Sequence, residues 1–310
     1  MKVLCFGSLN IDYTYKLDHF VQKGETISSK ELNVCSGGKG LNQSIALAKA
    51  GADAYHAGAI GEDGRFLLEQ LEEAGVNTDC IKVLSDVRSG NAIIQNDTSG
   101  DNCIILYGGA NQAITKAQVD EVMSEFEKGD YIILQNEINE LRYIMECAKQ
   151  NGMKIVLNPS PMNGKILELP LEYVDYFMLN EIEALQILER ENVLNLRGEE
   201  IAKDIRTRFP NAAIVLTMGE AGSIYVDSNG IVRQPAYKVK AVDTTAAGDT
   251  FTGFFIGGII KGLNVKEAMN VAAKASAIAV TRQGAAPSIP TWEEIEHLKR
   301  LLQQANIKVN

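Results

Sequence analysis

Short runs of aliphatic and β-branched residues alternate along the chain with longer stretches whose apolar positions recur at helical spacing. The runs at 3–6, 53–60, 131–135, 154–158, 176–179, 213–217 and 223–226 predict strands. The stretches at 41–50, 64–74, 116–127, 140–150, 181–189 and 199–209 predict helices. Strands alternating with helices imply right-handed βαβ units, hence an α/β fold with a central, mainly parallel sheet flanked by helices. The segments 132–134 and 155–157 are continuously apolar, as strands buried on both faces are. Two regions break this pattern. Residues 11–20 and 26–35 are polar, β-prone and helix-free, and 91–96 and 103–107 flank the turn Asp97-Thr98-Ser99-Gly100-Asp101. Their alternation suits a small accessory β-sheet, built from about 11–36 and 90–108 and carried by one α/β domain spanning 1–310. An alanine-rich helix follows at 265–280, and a last amphipathic helix at 291–304, opened by Pro290 and Thr291.

Charge narrows the partners. Thirty Lys and Arg stand against 40 Asp and Glu, a net charge of −10. That balance disfavours non-specific nucleic-acid binding, which relies on basic patches. It leaves room for a phosphorylated small ligand held by a few local donors. The five cysteines are scattered and form no CxxC pair, so free thiols and a cytoplasmic setting are expected. The short apolar opening reads as a first strand rather than a signal segment. No run approaches the roughly 18 apolar residues of a membrane span, so no membrane partner is expected. The three histidines, His19, His56 and His297, give no metal-ligand spacing.

Three segments carry candidate chemistry. In Asp243-Thr244-Thr245-Ala246-Ala247-Gly248-Asp249, small residues allow a tight turn and an apolar helix follows at once. Free N–H groups at that helix start would form an anion hole, with Asp249 beside it. A carboxylate in that place can take a hydroxyl proton during phosphoryl transfer, or it can merely cap the helix. In Ser36-Gly37-Gly38-Lys39-Gly40-Leu41-Asn42, glycines permit close backbone approach to a ligand, and Asn42 offers a donor and an acceptor suited to a polyol. A ligand-free strand-to-helix turn is the alternative there; the GxxxxGK[ST] spacing is absent. Asn10 and Asp12 follow the first strand and point the same way, as a sugar site or an ordinary Asx turn. The segment at 180–183 can be a cap, that at 217–222 a turn, and Glu137 a solvated strand end.

Together these segments resemble the ribokinase-like (PfkB) carbohydrate kinases over essentially the full length. The segment Gly37-Gly38-Lys39-Gly40-Leu41-Asn42 and the run at 243–249 match the two family signatures, in the right order and far apart. Gly58-Ala59-Ile60-Gly61-Glu62-Asp63, Gly108-Gly109-Ala110-Asn111 and Asn180-Glu181-Ile182-Glu183 match too. Asn10-x-Asp12, Ala246-Ala247 and the stretch at 279–288 point to the branch that acts on ribose.

The resemblance implies ATP-dependent transfer to a sugar, D-ribose first, with Asp249 as base and Ala246, Ala247 and Gly248 as anion hole. It assigns Asn10, Asp12, Gly38, Lys39, Gly40, Asn42 and Glu137 to the sugar. It assigns Asn180, Thr217, Gly219, Glu220, Gly222, Gly248 and Ala273 to ATP, and Glu183 to Mg²⁺ through water. It implies a K⁺ site from Asp243, Thr245, Ala279, Arg282, Gly284 and Ser288. It also implies a mobile β lid that pairs two chains as a homodimer, with hinges near Asn10 and Gly37 and with Tyr13, Tyr15, Leu17, Ile93 and Ile105 as candidates for its covered face. Cys35, Ser36, Asn91 and Thr245 depart from the family pattern; these changes are expected to make the sugar pocket more polar. The alternatives are the same chemistry on another sugar or on a nucleoside, whose base would need aromatics such as Tyr13, Tyr15 and Phe20, and a catalytically silent sugar-binding protein.

Overall fold

The computed structural model describes residues 1–99, 101–190 and 197–297. The chain opens with β1 (Lys2–Phe6), β2 (Asn10–Lys16), β3 (Glu31–Gly37), α1 (Lys39–Lys49), β4 (Asp53–Gly61), α2 (Arg65–Glu73) and β5 (Asn77–Leu84). It continues through β6 (Gly90–Asn96), β7 (Asn102–Tyr107), α3 (Lys116–Met123), β8 (Tyr131–Gln135), α4 (Leu141–Gln150) and β9 (Lys154–Asn158). Then come β10 (Tyr176–Asn180), α5 (Glu181–Ile187), α6 (Gly198–Arg208), β11 (Ala213–Thr217), β12 (Ser223–Asp227), β13 (Gly230–Gln234), α7 (Ala247–Ile260) and α8 (Val265–Ala279).

Nine strands form one sheet in the order β13-β12-β11-β10-β9-β8-β1-β4-β5. All neighbours from β11 through β5 are parallel, and β12 and β13 close one edge antiparallel. Alternate residues of each strand face opposite cores. Ile132 and Leu134 pack with Val119, Ile144, Met145, Ile187 and Ile205 of α3–α6. Tyr131 and Ile133 share the other core with Leu41, Leu67, Phe254, Phe255 and Met269 of α1, α2, α7 and α8. The result is a three-layer helix–sheet–helix sandwich.

The strands β5 and β13 are absent from the pattern-based expectation. Both lie at sheet edges and are only partly buried, so neither shows the continuous apolar run of a doubly covered strand. Of the helix expected at 291–304, residues 292–297 are helical and Thr291 precedes them; residues 298–304 lie outside the described residues. Among the described residues no helix is long and apolar enough to cross a membrane.

The accessory sheet is four-stranded, in the order β3-β2-β6-β7. Its register puts Val34, Tyr13, Ile93 and Ile105 in one row across one face. Leu32, Val34, Ile93 and Ile105 are exposed, Ile105 by 59%. Leu17, a candidate for the covered face, is instead already buried within the chain at 4%.

Candidate active site

Chain direction across the large sheet reverses between β1 and β8, and ligands in such sheets gather beyond the strand ends at that point. The turn into α1 is packed there against the residues after β1. Gly38 has φ 95°, and a Cβ on it would stand 2.9 Å from the Ser8 carbonyl oxygen, so only glycine fits. Gly40 lies directly against the Ser8 backbone. Glu137, just beyond β8, fixes this turn: its Oε2 accepts the Lys39 N–H at 3.0 Å and the Ser8 hydroxyl. Burial pushes the Glu137 carboxyl up, against the pull of those donors and of the Lys39 charge. Burial alone would lower the Lys39 ammonium, but the carboxylates of Asp249, Glu137 and Glu183 outweigh it and hold that group above its ordinary value.

Asn10, Asp12, Cys35, Gly37, Gly90, Ala92 and Leu106 share one face of the accessory sheet. The Asp12 carboxylate fills the space above Gly37. Among the described residues no group donates to it, and burial together with the Glu137 charge pushes it up to about 7. Asn10 is clamped: its Oδ1 accepts from Asn111 Nδ2 at 2.7 Å, and Asn111 Oδ1 accepts the Leu9 N–H at 3.0 Å. Ser36, Asn91, Tyr13 and Tyr15 alternate with these residues and lie on the opposite face. Of the lid departures, only Cys35 therefore shares the Asp12 face, which corrects the expectation of a broadly more polar sugar pocket. Tyr13 and Tyr15 are likewise turned away from Asp12.

At the start of α7, Ala246 holds a left-handed conformation with φ 59°, a strained geometry for a residue with a Cβ. It turns the chain so that the helix begins at Ala247. The N–H groups of Gly248 and Asp249 fall in the first turn, where no intrahelical acceptor exists; the Ala247 N–H, expected beside Gly248 in the anion hole, instead donates to the Thr244 carbonyl at 3.3 Å. Asp249 is 7% exposed. Its Oδ2 accepts from Asn42 Nδ2 at 3.1 Å and its Oδ1 from Gln43 Nε2 at 2.8 Å. The Asn42 Oδ1 is buried with no protein donor, a free acceptor next to the base candidate. Helices α1 and α7 can approach this closely because Gly253 meets Ala46 and Gly257 meets Ala50; a Cβ on Gly257 would be 2.6 Å from that of Ala50.

Lys39, Asn158, Asn180, Glu183, Thr217, Ala246, Gly248 and Asp249 line a cavity of about 230 Å³. It shares the lining residues Thr217, Thr244, Ala247 and Gly248 with a second, more apolar cavity of about 560 Å³, a size usual for small-molecule sites. That groove is walled by Gly219, Glu220, Gly222, Tyr237, Phe251 and Ala273. Asn180 and Glu183 form a reciprocal cap on α5, with Asn180 Oδ1 accepting from Glu183 N and Glu183 Oε2 accepting from Asn180 N, both at 2.9 Å.

The Asp243 loop stands behind this region. Its Oδ1 accepts from the Thr245 backbone at 2.9 Å and the Thr245 hydroxyl at 2.6 Å, and its Oδ2 from Gly284 N at 2.9 Å. Burial opposes ionisation of Asp243, but these donors outweigh it and hold the carboxyl below its ordinary value. The Arg282 guanidinium, itself cationic and without an acceptor, is paired with Glu294, so Arg282 can offer a cation only its carbonyl. Ala279 ends α8, and the buried Ser288 hydroxyl donates to Ala285 O at 2.7 Å, leaving its lone pairs available.

The family model of the pfkB carbohydrate kinases matches residues 1–292. The chain belongs to the pfkB family of carbohydrate kinases. It is 35% identical over 306 residues to the ribokinase of Staphylococcus aureus, covering 96% of this chain and 99% of that one. The ribokinase of Cryptococcus neoformans, solved in complex with ADP, has a TM-score of 0.84 at 31% identity, over 96% of this chain and 99% of the other. That of Arabidopsis thaliana, solved with ribose and ATP, has a TM-score of 0.82 at 26% identity, over 96% and 97%. This pfkB-family chain thus brings the sugar-side, base and nucleotide-side candidates into one connected region. Ser8, Gln43, Asn111, Gln135 and Asn158 enter it without having been singled out as site residues. Gln135 carries a visible signal, an amide closing an otherwise apolar buried strand.

Proposed function

We propose that this chain is an ATP-dependent sugar kinase that transfers the γ-phosphoryl group of MgATP to the 5-hydroxyl of D-ribose. One observation carries the reading: the Asp249 carboxylate, at the start of α7, touches Asn42 on the sugar side and lines the cavity that shares Thr217, Thr244, Ala247 and Gly248 with the nucleotide groove. Asp249 takes the proton of the acceptor hydroxyl, whose oxygen attacks the γ-phosphorus as the bond to the bridging oxygen breaks and ADP leaves. The N–H groups of Gly248 and Asp249, with the Lys39 ammonium, hold the charge on the transferring group. Asn10, Asp12 and Asn42 hold the sugar hydroxyls, and Glu137 holds the turn that carries Lys39. The relatives that are ribokinases support ribose as acceptor.

Gly219, Glu220, Gly222 and Ala273 form the walls for the nucleoside part of ATP, with Asn180 and Thr217 nearer its phosphates. The unpartnered buried Oδ1 of Asn158 and the Glu183 carboxylate in the same cavity suit a hydrated Mg²⁺. When bound, Mg²⁺ neutralises phosphate charge. Asp243, Ser288 and the carbonyls of Thr245, Ala279, Arg282 and Gly284 offer an oxygen set of the kind that holds K⁺. We read the whole chain as one α/β unit with its accessory sheet as lid, working as a homodimer in the cytoplasm, where ATP and reduced thiols prevail.

A nucleoside acceptor is disfavoured because Tyr13 and Tyr15 face away from Asp12. ADP release measured over a panel of pentoses, hexoses, sugar acids and nucleosides tests the reading. Ribose should give the highest kcat/KM, and Asp249→Asn should lower kcat by roughly 10²–10⁴. A nucleoside preferred over ribose overturns the acceptor, and a fully active Asp249→Asn overturns the base.

A further inference from the structure

Asp249 is held from below by side chains that the transfer chemistry does not use. Gln43 Nε2 donates to Asp249 Oδ1 at 2.8 Å, and Gln43 Oε1 accepts from Gln135 Nε2 at 2.7 Å. Gln135 Nε2 also reaches Cys5 Sγ at 3.4 Å, and the Cys5 thiol donates to the Gly40 carbonyl at 3.4 Å. Cys5, Gln43 and Gln135 are all 0% exposed. The row crosses from β1 and β8 through α1 to α7, and Gly7 makes room for it, since a Cβ there would collide with Gln135 Oε1.

The row has a fixed polarity. An ionised carboxylate can only accept, so Gln43 must turn its NH₂ toward Asp249 and its oxygen toward Gln135. Gln135 must then present its own NH₂ to Gln43. That orientation leaves Gln135 Oε1 buried without a donor, a costly arrangement that two apolar side chains would avoid. The orphaned oxygen is what remains when orienting Asp249 takes precedence over satisfying the core.

We propose that Gln43 is a positioning residue: anchored by Gln135, it engages Asp249 Oδ1 permanently and turns Oδ2, beside Asn42, toward the acceptor hydroxyl. This rests on the reading of Asp249 as base. Proton transfer depends steeply on alignment, and the anchored amide supplies that alignment from rigid elements rather than from a loop. The charged and titratable groups that act on this corner are Lys39 from α1, Glu137 after β8 and Cys5 from β1.

Steady-state kinetics with ribose and MgATP on the full chain tests it. Gln43→Leu should lower kcat by roughly 10- to 100-fold, the scale of a hydrogen bond to a charged group, with the KM of ribose and ATP unchanged. Gln135→Leu, remote from both substrates, should lower kcat in the same way by less, again with KM unchanged, and gives the same test should Gln43→Leu fail to fold. Wild-type kcat in the folded variants, or a rise in ribose KM with kcat intact, overturns the positioning role. An Asp249→Asn variant that keeps its turnover removes the base reading and this role with it; an inactive one beside a fully active Gln43→Leu removes the positioning role alone.

Discussion

Asp243 Oδ2 accepts the Gly284 N–H at 2.9 Å, tying the segment that turns into α7 to the loop beyond α8. A cation bound among their oxygens would stiffen the same turn that aims the N–H groups of Gly248 and Asp249. Turnover should therefore rise when K⁺ replaces Na⁺ at equal ionic strength. Asp243→Ala should lower kcat roughly tenfold or more, the scale seen when a preorganised donor is disturbed, and should abolish the K⁺ response. Equal rates in both salts for the unmodified chain would leave the loop without a cation role.

Asp12 supplies a pH dependence. Its carboxyl ordinarily titrates at 3.8 and here at about 7, through burial and the Glu137 charge. Between those values the folded chain carries a proton that the unfolded chain has released. Asp12 thus makes the sugar-free protein less stable as pH rises through that window. A sugar that donates to the carboxylate needs it ionised, so ribose KM should climb as pH falls below about 7. Asp12→Asn should raise ribose KM and flatten this dependence. A dependence that survives the substitution would assign the titration to Glu137.

Asn111 should act on the sugar without touching it. Asn111→Leu removes the clamp on Asn10 Oδ1 and strands the Leu9 N–H, bonds of 2.7 and 3.0 Å. Losing them should cost about 1–3 kcal/mol of folding stability. Ribose KM should rise while ATP KM holds, as measured by initial rates and thermal denaturation. An unchanged ribose KM would show that Asn10 keeps its pose unaided.

The row Val34–Tyr13–Ile93–Ile105 leaves an apolar stripe on an open-edged sheet, a surface that proteins normally cover. Sedimentation at micromolar concentration should give a dimer, and Ile105→Lys should give a monomer of 33.8 kDa. A monomeric unmodified chain would show that the stripe stands uncovered.

The doubly buried strands were the most legible part of the fold. Strands 131–135, 154–158 and 213–217 coincide with β8, β9 and β11, because covering both faces writes an uninterrupted apolar run. Edge strands β5 and β13 write no such run. The two long signatures located Asp249, Asn42 and Lys39, since tight turns at helix starts demand small residues in fixed order. Gln43 and Gln135 were not legible as a pair: their meeting depends on how α1 crosses β8, which no local pattern encodes. The face of Asn91 was equally hidden, because it follows from pairing with Ile11 on a strand far away in sequence.

The glycine–alanine seam between α1 and α7 has a consequence for how this chain tolerates mutation. Gly253 and Gly257 lie one and two turns beyond Asp249 on the same side of α7, facing Ala46 and Ala50. A single added methyl at this crossing wedges apart the two helices that carry Asn42 and Asp249, and a close-packed interior passes that shift on to the reacting groups. Substitutions at 46, 50, 253 and 257 should therefore sort by turnover rather than by melting temperature. In a library screened for both, these four positions should stand out as sites where a well-folded, soluble protein has simply become slow.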